Sequence, residues 1–422
     1  MARALIFVFA YLIAAASAAA TERMVSANPG ALAVAIEAAE AGDTLRLAPG
    51  RHEGPIVINL PLTLEGARTA TIDGRGVGSV ITVKAPDVVI SGIAIIGSGS
   101  KGQGLDAGIT LTENAHSAVV RDNHLIGNLV GVDIHGARNA IVESNLIEGR
   151  KDHRMNDRGN GVYVWNAPGA IVRENEFRWG RDGIFVNASS DNEFTGNLFR
   201  DLRFAVHYMY AHDSIVADNI SIGNHLGFAV MYSDNVTIRG NLSRSDRDHG
   251  VMLNYTNKSR ILENRVENGG DKCIFIYNAH KNRVEDNRLE RCQIGIHFTA
   301  GSERNAITGN AFVGNRTQVK YAGTSWVDWS VDGRGNYWSD FAAYDLNGDG
   351  VAEGTFRPND SVDRILWTQP AARLLLGSPT VQLVRWSQSA FPALLPGGVV
   401  DSHPLMTPVE PEFPEWETRH AN

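Results

Sequence analysis

Residues 215–231 read Ile-Val-Ala-Asp-Asn-Ile-Ser-Ile-Gly-Asn-His-Leu-Gly-Phe-Ala-Val-Met. The first asparagine of this stretch belongs to a row: Asn123, Asn145, Asn175, Asn197, Asn219, Asn241, Asn264, Asn287 and Asn310. The intervals are 22 or 23 residues, with a single step of 30 between Asn145 and Asn175. Three places before each of them stands an apolar residue, from Val120 and Val142 through Phe194 and Val216 to Ile307. A period of this length marks one supersecondary unit stacked on copies of itself.

Each repeat holds short β-branched or aromatic runs broken by Gly, Asn and Asp, and none is long enough for an amphipathic helix. Helical solenoids are thereby excluded. A leucine-rich repeat has a similar period but needs a Leu framework that is missing here. The pattern predicts an all-β chain, a right-handed parallel β-helix of about 11 coils, each of three short strands, stacked at about 4.8 Å to a length of about 50 Å. An Asn at one turn of every coil then sits above the next, where its amide can donate and accept along the row. The same residue is expected to take the left-handed backbone of the corner.

The chain has 422 residues, 43% of them apolar and 20% charged, with 43 Gly to supply corners. This suits a soluble globular fold with a long core. A net charge of −8 without a long Lys/Arg run excludes nucleic acid as a partner. Residues 1–20 read as a secretory signal: Arg3, an apolar run from Ala4 to Ala16, then small-residue cleavage sites. The mature protein is therefore expected to be exported. An N-terminal cap and early coils occupy 21–104, with a capping helix over Ala31 to Ala39. Regular coils follow over 105–340, and 341–422 form a C-terminal helical extension. Export favours a bond between Cys273 and Cys292, but Cys273 stands at a corner where neighbouring repeats carry Gly, so the pairing is left open.

One strand of each coil reads, in successive repeats, Gly131 to His135, Gly161 to Trp165, Gly183 to Asn187, Ala205 to Met209, Gly227 to Met231, Gly250 to Asn254, Cys273 to Tyr277 and Gly295 to Thr299. Strand side chains alternate faces. The second and fourth residues, such as Val132, Ile134, Ile184, Val251 and Ile276, point inward. The third and fifth point outward, and instead of ordinary polar surface they include Tyr163, Trp165, His207, Met209, Met231, Met252, Phe275 and Tyr277. Such a stripe implies that something covers this face.

The chain has seven Met, and Met209, Met231 and Met252 lie on adjacent coils of the stripe. The insertion in the long step, Arg150 to Arg158, brings His153 and Met155 and is expected to fold beside them. Thioether and imidazole donors select copper, above all Cu(I), over hard cations. The candidate metal ligands are therefore His207, Met209, Met231, Met252, Met155 and His153. The competing reading is that Met and aromatics pack under the insertion or a partner protein.

The run Ala205-Val-His-Tyr-Met-Tyr-Ala-His-Asp213, the segment Gly335-Asn-Tyr-Trp-Ser-Asp340 and the tail from Pro396 to Met406, together with the Asn row, resemble the NosD family over essentially the whole mature chain. The resemblance implies a periplasmic, non-enzymatic accessory protein for copper-site assembly in nitrous oxide reductase. It implies as partners the permease and ATPase subunits of an ABC transporter, a copper chaperone lipoprotein, and the reductase itself. Tyr163, Trp165, Phe275, Tyr277, Trp367 and Trp386 are the expected partner contacts.

Two short amphipathic helices are expected at Leu366 to Gly377 and Val381 to Phe391, docking on the membrane complex. Asp345, Asn347, Asp349 and Glu353 resemble a calcium loop, although Phe356 stands where an EF-hand has its last Glu; an Asn/Asp/Gly turn without metal is the alternative. Two rival functions remain. A carbohydrate-active or sugar-binding β-helix would need paired carboxylates on one face; the stripe contributes Asp133, while Asp157, Asp182, Asp248 and Asp271 fall at corners. A passive docking scaffold would need no metal.

Overall fold

The computed structural model describes residues 21–100, 105–299, 301–321, 323, 325–391 and 397–412. The leader assigned to residues 1–20 lies outside them. Among the described residues no helix is long and apolar enough to cross a membrane.

Three short strands per coil stack in parallel register into a β-solenoid of about 13 turns. This exceeds the eleven coils that the repeats suggest, because pairing begins before the pattern becomes regular: Glu22–Val25 already lies in parallel on Thr44–Leu47. A 24-stranded sheet covers two faces and a 12-stranded sheet the third. The bend in the larger sheet is the asparagine row, as where Ile141–Glu143 and Leu146–Glu148 flank Asn145.

Each row amide is fully engaged. The Oδ1 of Asn219 accepts from the backbone N–H of Asn197 at 2.9 Å and from its Nδ2 at 3.0 Å. Its own Nδ2 donates to the carbonyls of Phe194 and Ala217 and to Oδ1 of Asn241, each at 2.9 Å. The row also runs one residue beyond the repeats, to Asn336, which Asn310 reaches after a step of 26. The left-handed residue is not the Asn itself, as the sequence suggested, but the one before it: Asp122, Ser144, Glu174, Asp218, Glu263 and Asp286 have φ between 54° and 57°. The corner therefore needs αL at one residue and an amide at the next, and the two demands are met by different side chains.

Inward residues of the smaller sheet, among them Val132, Ile134, Ile184, Val186, Val251 and Ile276, are fully buried. Helix α1, Ala31–Glu37, lays Leu32 and Ile36 on the open first coil. Cys273 and Cys292 are joined across successive coils, with Cα atoms 5.7 Å apart. At another corner the backbone N–H groups of Leu202 and Cys292 are met by the amides of Asn224 and Asn315. In the coil above Asn224 a carboxylate, that of Asp246, plays the same role. It is fully buried, accepts from the N–H of Asn224 at 2.8 Å, and receives Ser221 Oγ and Ser243 Oγ at 2.6 Å each.

The last coil is closed by the returning chain. Gly398–Val400 pairs with Trp326–Asp328, and Asp401, itself fully buried, accepts from the N–H of Asn336 and from Trp338 Nε1, both at 2.7 Å. Between the two arms of this cap lies a helical excursion. Helix α2, Ser361–Thr368, starts at an Asp360/Asp363 capping box, and helix α3, Pro379–Ala390, starts at Ser378. The second agrees with the sequence to within two residues. The first lies earlier than Leu366 to Gly377, because Pro370 cannot continue an α-helix and opens a 3-10 turn, Pro370–Leu375.

Candidate functional site

Parallel register converts the outward stripe into columns. One runs Asp133, Tyr163, Phe185, His207, Ala229, Met252, Phe275, His297 and Lys320. The next runs His135, Trp165, Asn187, Met209, Met231, Asn254 and Tyr277. Met209 and Met231 are thus direct neighbours. Met252 lies in the other column, one coil above Ala229, with His207 one coil below.

A third outward column precedes the first: Asp182, Phe204, Leu226, His249 and Lys272. Asp182 is fully buried, and both its oxygens are held by Arg203, at 2.8 and 2.6 Å. Nδ1 of His207 lies 3.2 Å from the same carboxylate. Burial pushes the Asp182 carboxyl up, but His207 and Arg203 outweigh it and hold it below the ordinary carboxylate range. A carboxylate held by an arginine only accepts, so Nδ1 of His207 donates to it, and Nε2 is the ring nitrogen left for another partner. That atom is buried and has no hydrogen-bond partner. A carboxylate holding the far nitrogen of an imidazole is the arrangement found behind metal-ligating histidines. The ring is further fixed by Phe185 stacked at 4.8 Å and Phe204 edge-on at 4.8 Å.

Around Ala229 the columns place His207 below, Met252 above and Met231 beside, with Met209, His249 and Asn254 at the diagonals. Ala229 is 0% exposed although it faces outward, so these side chains close over it. Nδ1 of His249 and Oδ1 of Asn254 are also buried and unpartnered. Burial, and then the charge of Lys272, pulls the His249 pKa down, which keeps that ring neutral near pH 7. His249 escaped the sequence reading and Asp182 was assigned to a corner, because each strand was begun at the Gly, whereas the strands start at the residue before it. Among the described residues no three His, Cys, Asp or Glu side chains converge as a metal site. Any ion held here therefore draws on the thioethers, and the donor set of imidazole and thioether fits a soft one.

The insertion folds elsewhere. Arg150 reaches Gly99 and Gly127 carbonyls and Ser100, while Lys151 lies over Trp179 at 4.5 Å. His153 lines a hollow with Ser100, Ile126, Glu148 and Trp179, none of them a stripe residue. Met155, in a short 3-10 turn, is half-buried in the same loop. The predicted aromatic contacts form stacks on either side of the ring: Tyr163 on Phe185 at 5.3 Å, His135 on Trp165 at 4.3 Å, and Phe275 against His297 at 4.9 Å. Tyr277 caps a further row, Tyr210, Tyr232 and Tyr255, stacked 5.2 and 5.1 Å apart beside the Met column. Trp367 is half-buried on α2, and Trp386 on α3 is 64% exposed.

In the acidic turn, Asp345 accepts from the N–H groups of Gly348 and Gly350, Asn347 from that of Asp349, and Asp349 from that of Val351. These are the hydrogen bonds of a self-capped Asx turn. His116 and His280 accept backbone N–H groups through Nδ1, and His124 pairs with Glu148 at 2.8 Å, so each is satisfied locally. Of the acids that sugar chemistry would use, Asp182 is engaged by Arg203 and His207. Asp133 is nearly fully buried, and that burial pushes its pKa up to about 7.

The sequence profile described as "Periplasmic copper-binding protein (NosD)" matches residues 143–343. The chain is 41% identical over 375 residues to a "Probable ABC transporter binding protein NosD" of Stutzerimonas stutzeri, covering 86% of each chain. It is 43% identical over 373 residues to the protein of that name in Pseudomonas aeruginosa, covering 85% of this chain and 87% of the other. Among solved structures, an alginate lyase, AlyF-OU02 in complex with G6, superposes with a TM-score of 0.54 at 13% identity, over 76% of this chain and 83% of that one. An exopolygalacturonase from Thermotoga maritima gives 0.53 at 11% identity, over 69% and 91%. At such identities the likeness is one of fold.

Proposed function

Because the chain belongs to the NosD family, we propose that it is a periplasmic, non-enzymatic accessory protein that carries Cu(I) on the ring around Ala229 during copper-site assembly of nitrous oxide reductase. The observation that carries this reading is the buried, unpartnered Nε2 of His207, whose Nδ1 is held by Asp182, on strands whose register sets Met209, Met231 and Met252 within two coils of it. Copper here is cargo, received from a chaperone lipoprotein and passed to the reductase. The family's description as a periplasmic copper-binding protein supports copper as the cargo, and the relatives' name as ABC transporter binding proteins supports a transporter partner.

Purified mature protein is expected to take Cu(I) from a chromophoric competing chelator. The Met209→Leu/Met231→Leu/Met252→Leu variant, which keeps apolar volume, is expected to bind more weakly by at least roughly tenfold, the effect that even outer-shell changes have. Equal binding by the variant would leave the stripe as a passive docking surface. No binding by either protein would move the copper to the partners.

The helical excursion is the segment assigned to the transporter permease. Leu374, Leu375 and Leu383 are 91%, 59% and 63% exposed, beside Trp386, on a unit that the solenoid's closure does not use. Replacing residues 361–391 by a short linker spares the Asp401 cap, which a truncation at 380 would remove. The linker variant is expected to lose co-purification with the permease while its thermal midpoint stays close to the parent's. Unchanged recovery of the permease would show that the contact lies elsewhere.

A further inference from the structure

We propose that Ala229 is the residue that sets the size of the copper socket: its methyl group is the floor, and the small volume there lets the surrounding donors meet on one bare monovalent soft ion. The inference rests on the copper reading above and adds what that reading lacks, a reason why the donors can converge.

From Tyr163 to Lys320 the column holding Ala229 is otherwise made of long or bulky side chains. Alanine is a weak strand residue, so its place at the centre of the donor ring calls for a physical reason. His207 and Met252 start two strand spacings apart, about 9.6 Å. Nitrogen and sulfur ligands sit about 2.0 to 2.3 Å from an ion, judged by zinc. Both side chains can therefore lean over a methyl group to a common point, and Met231 joins them from the side. A larger side chain at 229 would occupy that point itself. The 0% exposure of Ala229 is evidence that its neighbours already lean inward.

The class of ligand follows. A site closed over a methyl group has no room for a hydration shell, so an ion that keeps several waters, as Mg2+ does, is excluded by size as well as by donor type. Cu(I) and Ag(I) satisfy both conditions.

The test is a graded series, Ala229→Ser, Ala229→Val and Ala229→Leu, titrated with Cu(I) and with Ag(I). All three leave the proposed ligands in place and lie outside the apolar core. Expected are parental affinity for Ser, and loss growing from Val to Leu into the range of roughly 10- to 100-fold, the size of an overpacking effect. Parental affinity in the Leu variant would overturn the proposal, and so would equal weakening in Ser and Leu, since Ser adds almost no volume. If the Leu variant does not fold, the Ser and Val pair decides by the same criterion. Failure of the copper reading looks different: the unmodified protein itself would then bind neither ion.

Discussion

Asn219→Ala is expected to lower the unfolding free energy by about 4 kcal/mol, an unusually large loss for removing one short polar side chain. The change leaves the backbone N–H of Asn197 and one proton of its Nδ2 without acceptors, and takes one donor from the carbonyls of Phe194 and Ala217, the latter keeping the N–H of Gly196. All of this lies inside the rod, where water cannot replace the missing amide. A buried donor left unmade costs about 1 to 3 kcal/mol, against about 1 kcal/mol net for an average hydrogen bond. Because each coil touches only its neighbours, a break at mid-rod uncouples two half-solenoids. Urea unfolding measures the effect, and a destabilisation below about 1 kcal/mol would mean that the row is decoration on a rod held by its apolar core.

The second large effect has the opposite sign. Burial pushes the Asp246 carboxyl up to about 6 from the ordinary 3.8, against the pull of Ser221 and Ser243. As pH rises from about 4 to about 6, the unfolded chain gives up this proton while the folded chain keeps it, so stability is lost through that window and stays lost above it. Asp246→Asn keeps an oxygen for the N–H of Asn224, as Asn224 and Asn315 do at the same corner. At pH 7.5 the variant is expected to be more stable by roughly 2 to 3 kcal/mol, with the advantage vanishing near pH 4. Denaturant midpoints at the two pH values decide it. A variant no more stable at pH 7.5 would show that the carboxylate's hydrogen bonds fully offset its burial.

The asparagine row made the solenoid legible, because a corner that repeats must repeat its hydrogen bonds. Its last member, Asn336, was hidden by a step that departs from the 22 to 23 residue period. The stripe was legible for the same reason as the core, since alternation places Met209 and Met231 outward by counting alone. His249 and Asp182 were not, because the strands start one residue before the Gly at which the count begins. No count along one strand shows that Asp182 supports His207 from the preceding coil. The insertion was misplaced because its length says that it leaves the coil but not which way Arg150 pulls it.

The asparagine row also has a direction. In each step from Asn123 to Asn336 the Nδ2 of one residue donates to Oδ1 of the next, so the amide dipoles add head to tail along the rod, as peptide dipoles do in a helix. The positive end of that macrodipole is at Asn336, and there the chain sets the carboxylate of Asp401, an acceptor with nothing left to donate. An amide at 401 would bring an N–H of its own to the end of the row, whereas this acid, buried by the returning chain, takes the last hydrogen bonds and the ladder closes inside one molecule.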